Sequence, residues 1–226
     1  KLLNERGLIF SHIGKMEERK STLDIVNVFT QALHNSTNKC TLILNVVNPF
    51  LSNWLDLLSS FIYSIGYIKL QEDESTVSFV KDNLKLIVLK YKLKNIREIY
   101  DSSVFGLYLS KAEGWNLPLI ESIASGLPCV TTNNTGMSDY LKEYPSEFIV
   151  QPGQSTVAND GVWFRGNRGN WVCPDLGSAK QILRSIASNP FPYLHKIKDC
   201  YNSIKNFTWE MSAQKFISIM KHIGGL

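Results

Sequence analysis

The segment VFGLYLSKAEGWNLPLIESIASGLPCVTTN, residues 104–133, decides the fold class of this chain. It opens with the apolar run 104–110, which is typical of a buried strand. Residues 117–126 carry apolar side chains at helical spacing, with a proline in the first turn and a glycine at the end. A second apolar run follows at 128–133. The order strand, helix, strand predicts a βαβ unit with a right-handed crossover.

The same alternation extends outward over most of the chain. The patterns predict strands at 8–14, 40–47, 84–91 and 146–151, helices at 21–36 (with Ser21 as N-cap), 49–66 and 94–103, and further helices at 175–188, 192–205 and from 207. This alternation predicts an α/β fold with a Rossmann-like doubly wound parallel sheet flanked by helices. Ligands bind such sheets at the carboxyl ends of the strands, and the loops 14–20 and 110–117 are two of those ends.

Residues 152–174 interrupt this rhythm. They are rich in Gly, Asn and Arg and predict a long loop or hairpin. We expect an insertion in a single Rossmann-like domain that spans 1–226 and closes with helices over 175–226. Loops of this length are usually functional or mobile, although a surface insertion without consequence fits the pattern equally well.

Composition excludes several classes of protein. The chain has 226 residues with a formal net charge of +4, and its Lys and Arg residues are scattered, so we expect no nucleic-acid partner. No apolar run approaches the ~20 residues that cross a membrane. The four cysteines form no CxxC pair, which disfavours both zinc and a disulfide framework. Without a visible signal peptide we expect a cytoplasmic protein, and the opening without Met suggests a piece of a longer one.

The loop after the first predicted strand carries two lysines. Gly14 ends the strand, and Lys15 and Lys20 flank a loop that feeds the next helix. Free backbone N–H groups at a helix N-terminus, together with lysines, would hold phosphates. The spacing is neither GxGxxG nor GxxxxGK[ST]. Taken by themselves, these residues favour an ordinary turn.

Two glutamates flank the start of the helix at 117–126. Glu113 lies in the loop at the carboxyl end of the strand, and Glu121 lies one turn into the helix. The backbone N–H groups of 115–117 lie between them, which suits a ligand with phosphates in the middle and hydroxyl groups at both ends. An ordinary helix start, with Glu121 exposed and Glu113 complementing the helix dipole, is an equal alternative.

Three segments together resemble the GT-B retaining glycosyltransferases of the large "group 1" family, which includes sucrose synthases and bacterial mannosyl- and glucosyltransferases. Residues 110–136 are similar to S-x-x-E-G-F-G-L-P-x-x-E-A-M-A-x-G-x-P in spacing and residue type. Residues 10–29 are similar to F-x-x-V-G-R-L-x-x-x-K-G, and 207–216 to F-S-W-E-x-x-A. The resemblance implies the C-terminal, donor-binding half of a GT-B architecture.

The resemblance also implies a role for each candidate residue. Glu121 would bind the ribose hydroxyls of a nucleotide, Glu113 the hydroxyls of the donor sugar, and Lys20 the diphosphate. Lys15 stands where the family has Arg and keeps the charge without the bidentate fork. The implied catalytic set is thus Lys15, Lys20 and Glu113. The implied donor-binding set adds Gly14, Gly114, Trp115, Asn116, Leu117 and Glu121, with Leu89 and Lys90 at the nucleobase.

Two departures from the family pattern concern glycines. Trp115 and Asn116 replace Phe-Gly, which predicts a bulkier loop that is less free to adopt a positive φ. Thr135 and Gly136 stand where the family has G-G, and Asp139 stands where it has Glu. Asp139 either replaces that glutamate or the contact is lost.

The implied reaction is transfer of a hexose from a UDP- or GDP-sugar to an acceptor hydroxyl, of a glycan for example, with retention and without metal or cofactor. The acidic cluster at 72–74 predicts a solvated loop rather than a metal site, and His12, His34, His195 and His222 predict structural or surface positions. GT-B enzymes have two such domains, so we expect a missing N-terminal partner that could bring the protein to a membrane surface. The alternative is a catalytically inert nucleotide-sugar-binding or regulatory module, which the departures motivate.

Overall fold

The computed structural model describes residues 7–161 and 164–224, and its main sheet has eight strands. These are β1 Leu8–Ile13, β2 Cys40–Asn45, β3 Ile68–Glu72, β4 Thr76–Lys81, β5 Leu84–Leu89, β6 Phe105–Tyr108, β7 Cys129–Thr132 and β8 Ile149–Val150. Their spatial order is β3-β4-β5-β2-β1-β6-β7-β8. The six from β5 to β8 are parallel, whereas β3 and β4 are antiparallel additions at one edge. The predicted Rossmann-like doubly wound sheet is confirmed, as mostly parallel.

Helices cover the sheet. They are α1 Thr22–Leu33, α2 Trp54–Ser64, α3 Arg97–Ser102, α4 Leu117–Ala124, α5 Leu176–Ser188, α6 Phe191–Leu194, α7 Ile197–Ile204 and α8 Trp209–His222. The predicted helix 49–66 begins only at Trp54. The predicted helix 192–205 is two helices, because the N–H of Lys196 bonds to the carbonyl of Tyr193 and breaks the α-helical step.

Strands β3 and β4 form a hairpin that the sequence patterns did not predict. Every residue of β3 is exposed, including Ile68 and Leu70, so no alternation of buried and exposed positions marks it as a strand. The acidic cluster at 72–74 lies at the turn of this hairpin rather than in a free loop. The Asp73 carboxylate accepts hydrogen bonds from the backbone N–H groups of Ser75 (2.7 Å) and Thr76 (2.8 Å), which closes the turn.

The position of the candidate site follows from the strand order. Strands β1 and β6 are neighbours at the centre of the sheet, and the rings of Phe10 and Phe105 stack across them at 5.6 Å. From this pair the chain winds outward through β2 and β5 on one side and through β7 and β8 on the other. The β1–β6 boundary is therefore the topological switch point, outside which ligands bind in such folds. The loops that follow β1 and β6 both leave at this edge.

The described residues of 152–174 form a hairpin, which was one of the two alternatives considered for this segment. Strands β9 Pro152–Val157 and β10 Asn170–Pro174 form a separate two-stranded antiparallel sheet. In the described residues, no helix is long and apolar enough to cross a membrane.

Candidate functional site

The loops after β1 and β6 meet at Glu113. The Nζ of Lys20 lies 2.5 Å from Glu113 Oε1, and Arg19 Nη1 lies 2.7 Å from Oε2. Arg19 Nη1 also donates to the carbonyl of Ala112 at 2.7 Å. One carboxylate therefore holds two cations from a loop that lies up to 94 residues earlier in the chain. Arg19 was not among the predicted site residues, although its place beside Lys20 in a polar loop is a signal that points to it.

A short 3-10 turn at Glu18–Lys20 makes this meeting possible. It ends at Ser21, whose φ is 55°, so the chain reverses into α1 and directs Lys20 inward. Ser21 therefore occupies the predicted N-cap position, but its side chain makes no capping hydrogen bond in this conformation. The N–H of Lys111 donates to the carbonyl of Arg19 at 2.8 Å, and Lys111 forms an ion pair with Glu18. These contacts join the two loops at Lys111, two residues before Glu113.

Burial sets the charge state of the cluster. Lys20 is buried, and desolvation lowers its pKa even though Glu113 opposes that shift. Burial alone would raise the pKa of Glu113, but the charges of Lys20 and Arg19 and their hydrogen bonds outweigh it and leave the pKa below its ordinary value. Glu113 is consequently an ionised hydrogen-bond acceptor at neutral pH.

The segment at 135–136 supports the Glu113 loop from the other side. The N–H of Gly136 donates to the Glu113 carbonyl at 3.1 Å, and the N–H of Glu113 donates to Thr135 Oγ1 at 2.8 Å. A Cβ on Gly136 would lie 1.8 Å from the carbonyl oxygen of Gly114, so this position requires glycine. Thr135 has a φ of 50°, which is rare for a β-branched residue. Thr135 begins the 3-10 turn Thr135–Asp139, and Asp139 is exposed at its end.

Trp115 and Asn116 are accommodated by turning both side chains inward. The Trp115 ring packs against Tyr140 and Phe207 at centroid distances of 5.2 and 5.7 Å, and its carbonyl accepts a hydrogen bond from the Tyr140 hydroxyl. Asn116 adopts a φ of 57°, contrary to the expected loss of that freedom. Asparagine tolerates this region better than other side-chain-bearing residues, and its amide lies 3.2 Å from Met137 Sδ.

A cleft of about 490 Å³ opens beside Glu113. It is lined by Lys15, Arg19, Glu113 and Gly114, and by Phe164 and Trp171 of the 152–174 hairpin. The Lys15 amine is half-exposed, 3.8 Å from Glu17 Oε1 and 5.4 Å from the ring centre of Phe50. The cleft lining carries two cations (Lys15 and Arg19) and two carboxylates (Glu17 and Glu113). Lys20, which pairs with Glu113, adds a third cation to the cluster.

Other predicted residues lie outside this cleft as far as the described chain defines it. Glu121 is exposed on α4, where the Tyr100 hydroxyl donates to it at 3.3 Å. Leu89 is buried at the end of β5, two strands from β1. The amine of Lys90 lies 2.7 Å from Glu72 Oε1 and donates to the Asp73 carbonyl, so the β3–β4 turn already holds it.

Two further predicted residues, Leu117 and Gly14, lie at the ends of elements beside the site. Leu117 is half-exposed at the first position of α4. The N–H of Gly14 donates to the Asn45 carbonyl at 3.0 Å, and a Cβ on Gly14 would contact His12 and Lys20.

His12 is a buried structural residue beneath the cluster. Its Nδ1 lies 2.9 Å from the Leu107 carbonyl oxygen and its Nε2 lies 3.4 Å from Thr22 Oγ1. Burial lowers the pKa of His12 to about 4. Across the described ranges, no group of three or more His, Cys, Asp or Glu side chains is arranged to hold a metal ion.

Comparison with known proteins agrees with this architecture. The family described as "Glycosyl transferases group 1" matches residues 72–162, which include the Glu113 loop. No curated protein matches the sequence. The chain is similar in structure to the GtfA/B complex, with a TM-score of 0.66 and 16% identity over 96% of this chain and 36% of that one.

Two further solved structures are informative. HepE from Anabaena, in complex with UDP, has a TM-score of 0.65 and 11% identity over 98% of this chain and 50% of that one. The C-terminal domain of the group 1 glycosyltransferase LpcC from Francisella tularensis has a TM-score of 0.55 and 13% identity over 88% of this chain and 85% of that one. The resemblance to group 1 glycosyltransferases of GT-B fold is thereby confirmed. The chain spans about a third of the GtfA/B chain and half of HepE.

Proposed function

We propose that this chain is the donor-binding part of a glycosyltransferase, which transfers a sugar from a nucleoside diphosphate sugar to an acceptor hydroxyl. The observation that carries the proposal is the convergence of Arg19 and Lys20 on Glu113 at the switch point of a GT-B-type sheet. An anionic diphosphate and a hydroxyl-rich sugar need cations and an ionised acceptor side by side, and this cluster supplies both.

The cations would stabilise the leaving group. As the glycosidic bond breaks, negative charge develops on the diphosphate, and preorganised positive groups lower the barrier to that step. Lys15 and Arg19 line the cleft, and Lys20 lies directly behind Glu113. The N-terminus of α4 adds oriented N–H groups beside Gly114. With this charge in place the proposed reaction uses no metal, and retention follows if the departing phosphate assists deprotonation of the acceptor.

The two glutamates would hold the hydroxyl groups. Glu113 is ionised and lines the cleft, so it can accept hydrogen bonds from the donor sugar. Glu121 is exposed on α4 and would take the ribose hydroxyls, with Tyr100 orienting its carboxylate. UDP bound to HepE supports a nucleoside diphosphate as the ligand class. Leu89 and Lys90 remain the proposed nucleobase site, through backbone groups.

A second Rossmann-like domain would bind the acceptor. None of the residues of α8, all of which the structure describes, is buried, and its apolar side chains include Trp209 and Phe216 at 88% and 63% exposure. An apolar helix left open in this way fits a chain that packs against a further domain. We place that domain N-terminal, in the same chain or in a partner, and propose a cytoplasmic setting in which that domain gives access to a membrane surface.

A thermal-shift screen with UDP, GDP, ADP and dTDP and their sugars tests the donor site. A ligand at 100 times its dissociation constant should stabilise the chain by ~2.7 kcal/mol. The Glu121→Ala variant should weaken nucleotide binding. The control variant Glu98→Ala, which removes a carboxylate from α3, should not. If no ligand shifts the melting temperature, the donor-site proposal is wrong.

An inert binding module is the second candidate, and two observations favour it. Asn116 and Thr135 occupy left-handed positions where the similar family has glycine, so the loop around Gly114 is less adaptable. Donor binding without hydrolysis or transfer, once a second domain is supplied, would select this candidate.

A further inference from the structure

We propose that Phe164 and Trp171 of the 152–174 hairpin form an aromatic wall against which the sugar ring of the bound donor packs. The hairpin would then select the sugar and not the nucleotide. This inference rests on the proposed function and assigns a role to a segment without a counterpart in the family pattern.

The hairpin is attached to the loop that carries Glu113. The N–H of Val172 donates to the carbonyl of Lys111 at 3.3 Å, two residues before Glu113. Across the hairpin, the N–H of Ala158 donates to the Gly169 carbonyl at 2.8 Å. The position of β10 is therefore coupled to the position of the Glu113 carboxylate.

The two aromatic rings have different parts in the wall. Trp171 is only 4% exposed and supports Phe164 edge-to-face, with ring centroids 5.4 Å apart at 69°. Phe164 is half-buried, so part of its ring reaches the cleft. Its backbone is held by Asp160, because the N–H of Phe164 donates to Asp160 Oδ1 at 2.9 Å and its carbonyl accepts from the Asp160 N–H. The ring of Phe164 is thus held both by Trp171 and through its own backbone.

The rest of the cleft lining is mostly polar. Glu113 and Arg19 offer an ionised acceptor and a cation, and a Cβ added to Gly114 would meet no atom within 4 Å. A pyranose has an apolar C–H face and a rim of hydroxyl groups. An aromatic ring and a carboxylate in the same cleft match those two surfaces, whereas a diphosphate alone would leave the aromatic ring without a partner. The chemistry suits a pyranose, and we assign it to the donor because Glu113 lies in the same cleft.

Titration calorimetry with matched ligands tests the wall. The affinity of each nucleoside diphosphate is compared with that of the matching nucleotide sugar. The pairs are UDP with UDP-glucose, GDP with GDP-mannose, ADP with ADP-glucose and dTDP with dTDP-glucose. In Phe164→Ala the nucleotide sugar should bind roughly 3- to 10-fold more weakly, while the nucleoside diphosphate is unchanged. Phe164→Tyr keeps the ring and should bind like the parent. Phe191→Ala, on α6 and 60% exposed, is the matched surface control.

Each outcome separates the two proposals. If nucleoside diphosphates bind and Phe164→Ala leaves the ratio of the two affinities unchanged, the aromatic wall is wrong and the donor site stands. If the ratio is unchanged but weak binding of methyl glucoside disappears, the ring belongs to an acceptor and the donor assignment is overturned. If neither ligand class binds the parent chain, both proposals fall.

Discussion

Glu113 stands between two cations at a point where water is largely excluded. Its side chain touches Lys20 on one oxygen and Arg19 on the other, and Lys20 is itself buried. Removing one partner from a buried ion pair leaves an uncompensated charge, which costs more than the pair contributes when intact. The same contacts therefore position the carboxylate and make the fold sensitive to its loss.

A double-mutant cycle measures this dependence. Glu113→Gln and Lys20→Met should each lower the free energy of unfolding by ~2–4 kcal/mol, and the double variant should lose less than the sum. Urea denaturation of the four proteins gives the coupling. The exposed pair Lys69–Glu72 is the matched control and should show little coupling. If the losses of unfolding free energy at Glu113 and Lys20 are additive, the two side chains do not form a stabilising buried ion pair.

Two glycines beside Glu113 predict opposite outcomes. Gly136→Ala would place a methyl 1.8 Å from the Gly114 carbonyl, so we expect a loss of at least ~2 kcal/mol in unfolding free energy. Gly114→Ala meets no neighbour and has no positive φ, so its stability should stay within ~0.5 kcal/mol of the parent. Its methyl would enter the cleft and weaken nucleotide-sugar binding. If Gly114→Ala folds and binds nucleotide sugar with unchanged affinity, the backbone at Gly114 does not contact the diphosphate.

His12 predicts a particular pH dependence of stability. Its pKa is about 4 in the folded chain against 6.5 ordinarily, so between these values the unfolded chain binds a proton that the folded chain does not. The free energy of unfolding should fall by up to roughly 3 kcal/mol as the pH drops from 6.5 to 4. His12→Gln should flatten this part of the curve, while His34→Gln, at an exposed site, should not. Equal slopes in parent and His12→Gln would refute the buried neutral imidazole.

At the scale of elements, the βαβ units could be predicted from the sequence, whereas the strands added to them could not. Strands β1, β2, β5, β6 and β7 follow from apolar runs, because strands buried on both faces need them. Strand β3 is exposed along its length and stands at the sheet edge, so packing imposes no pattern on it. The 152–174 hairpin is likewise mostly exposed, and among its described residues only Ala158, Trp171 and Pro174 are buried.

Helix α8 predicts tolerance to polar substitution. Trp209→Ser and Phe216→Ser remove side chains that are already in water, so the free energy of unfolding should change by less than ~0.5 kcal/mol. Leu183→Ala, at a fully buried position of α5, should cost ~2–5 kcal/mol and is the positive control. Guanidinium denaturation measures all three. A large loss at Trp209 would mean that α8 packs on this chain after all.

For the whole molecule, we propose that this chain binds the donor and that another domain binds the acceptor, and this predicts how activity depends on the second domain. The chain spans 36% of GtfA/B and 50% of HepE, and the acceptor is assigned to a domain outside it. The chain alone should bind the donor yet transfer little, and a longer chain with a preceding Rossmann-like domain should transfer. Incorporation of labelled sugar measures both, with Glu113→Gln as the inactive control. Full transfer by the chain alone would contradict the need for a second domain.

The residue pattern was enough to predict the fold class and to put two loops at the carboxyl ends of strands, because buried parallel strands and helix ends impose residue types that can be read in order along the chain. A binding role for those loops came from the family resemblance. The meeting of Arg19 with Glu113, the support from Thr135 and Gly136, and the hairpin's place at the cleft were decided only in the tertiary structure. These contacts join residues 22 to 94 positions apart, and no local pattern records which partners such distant residues will find. Distance along the chain separates what could be predicted from what had to be seen.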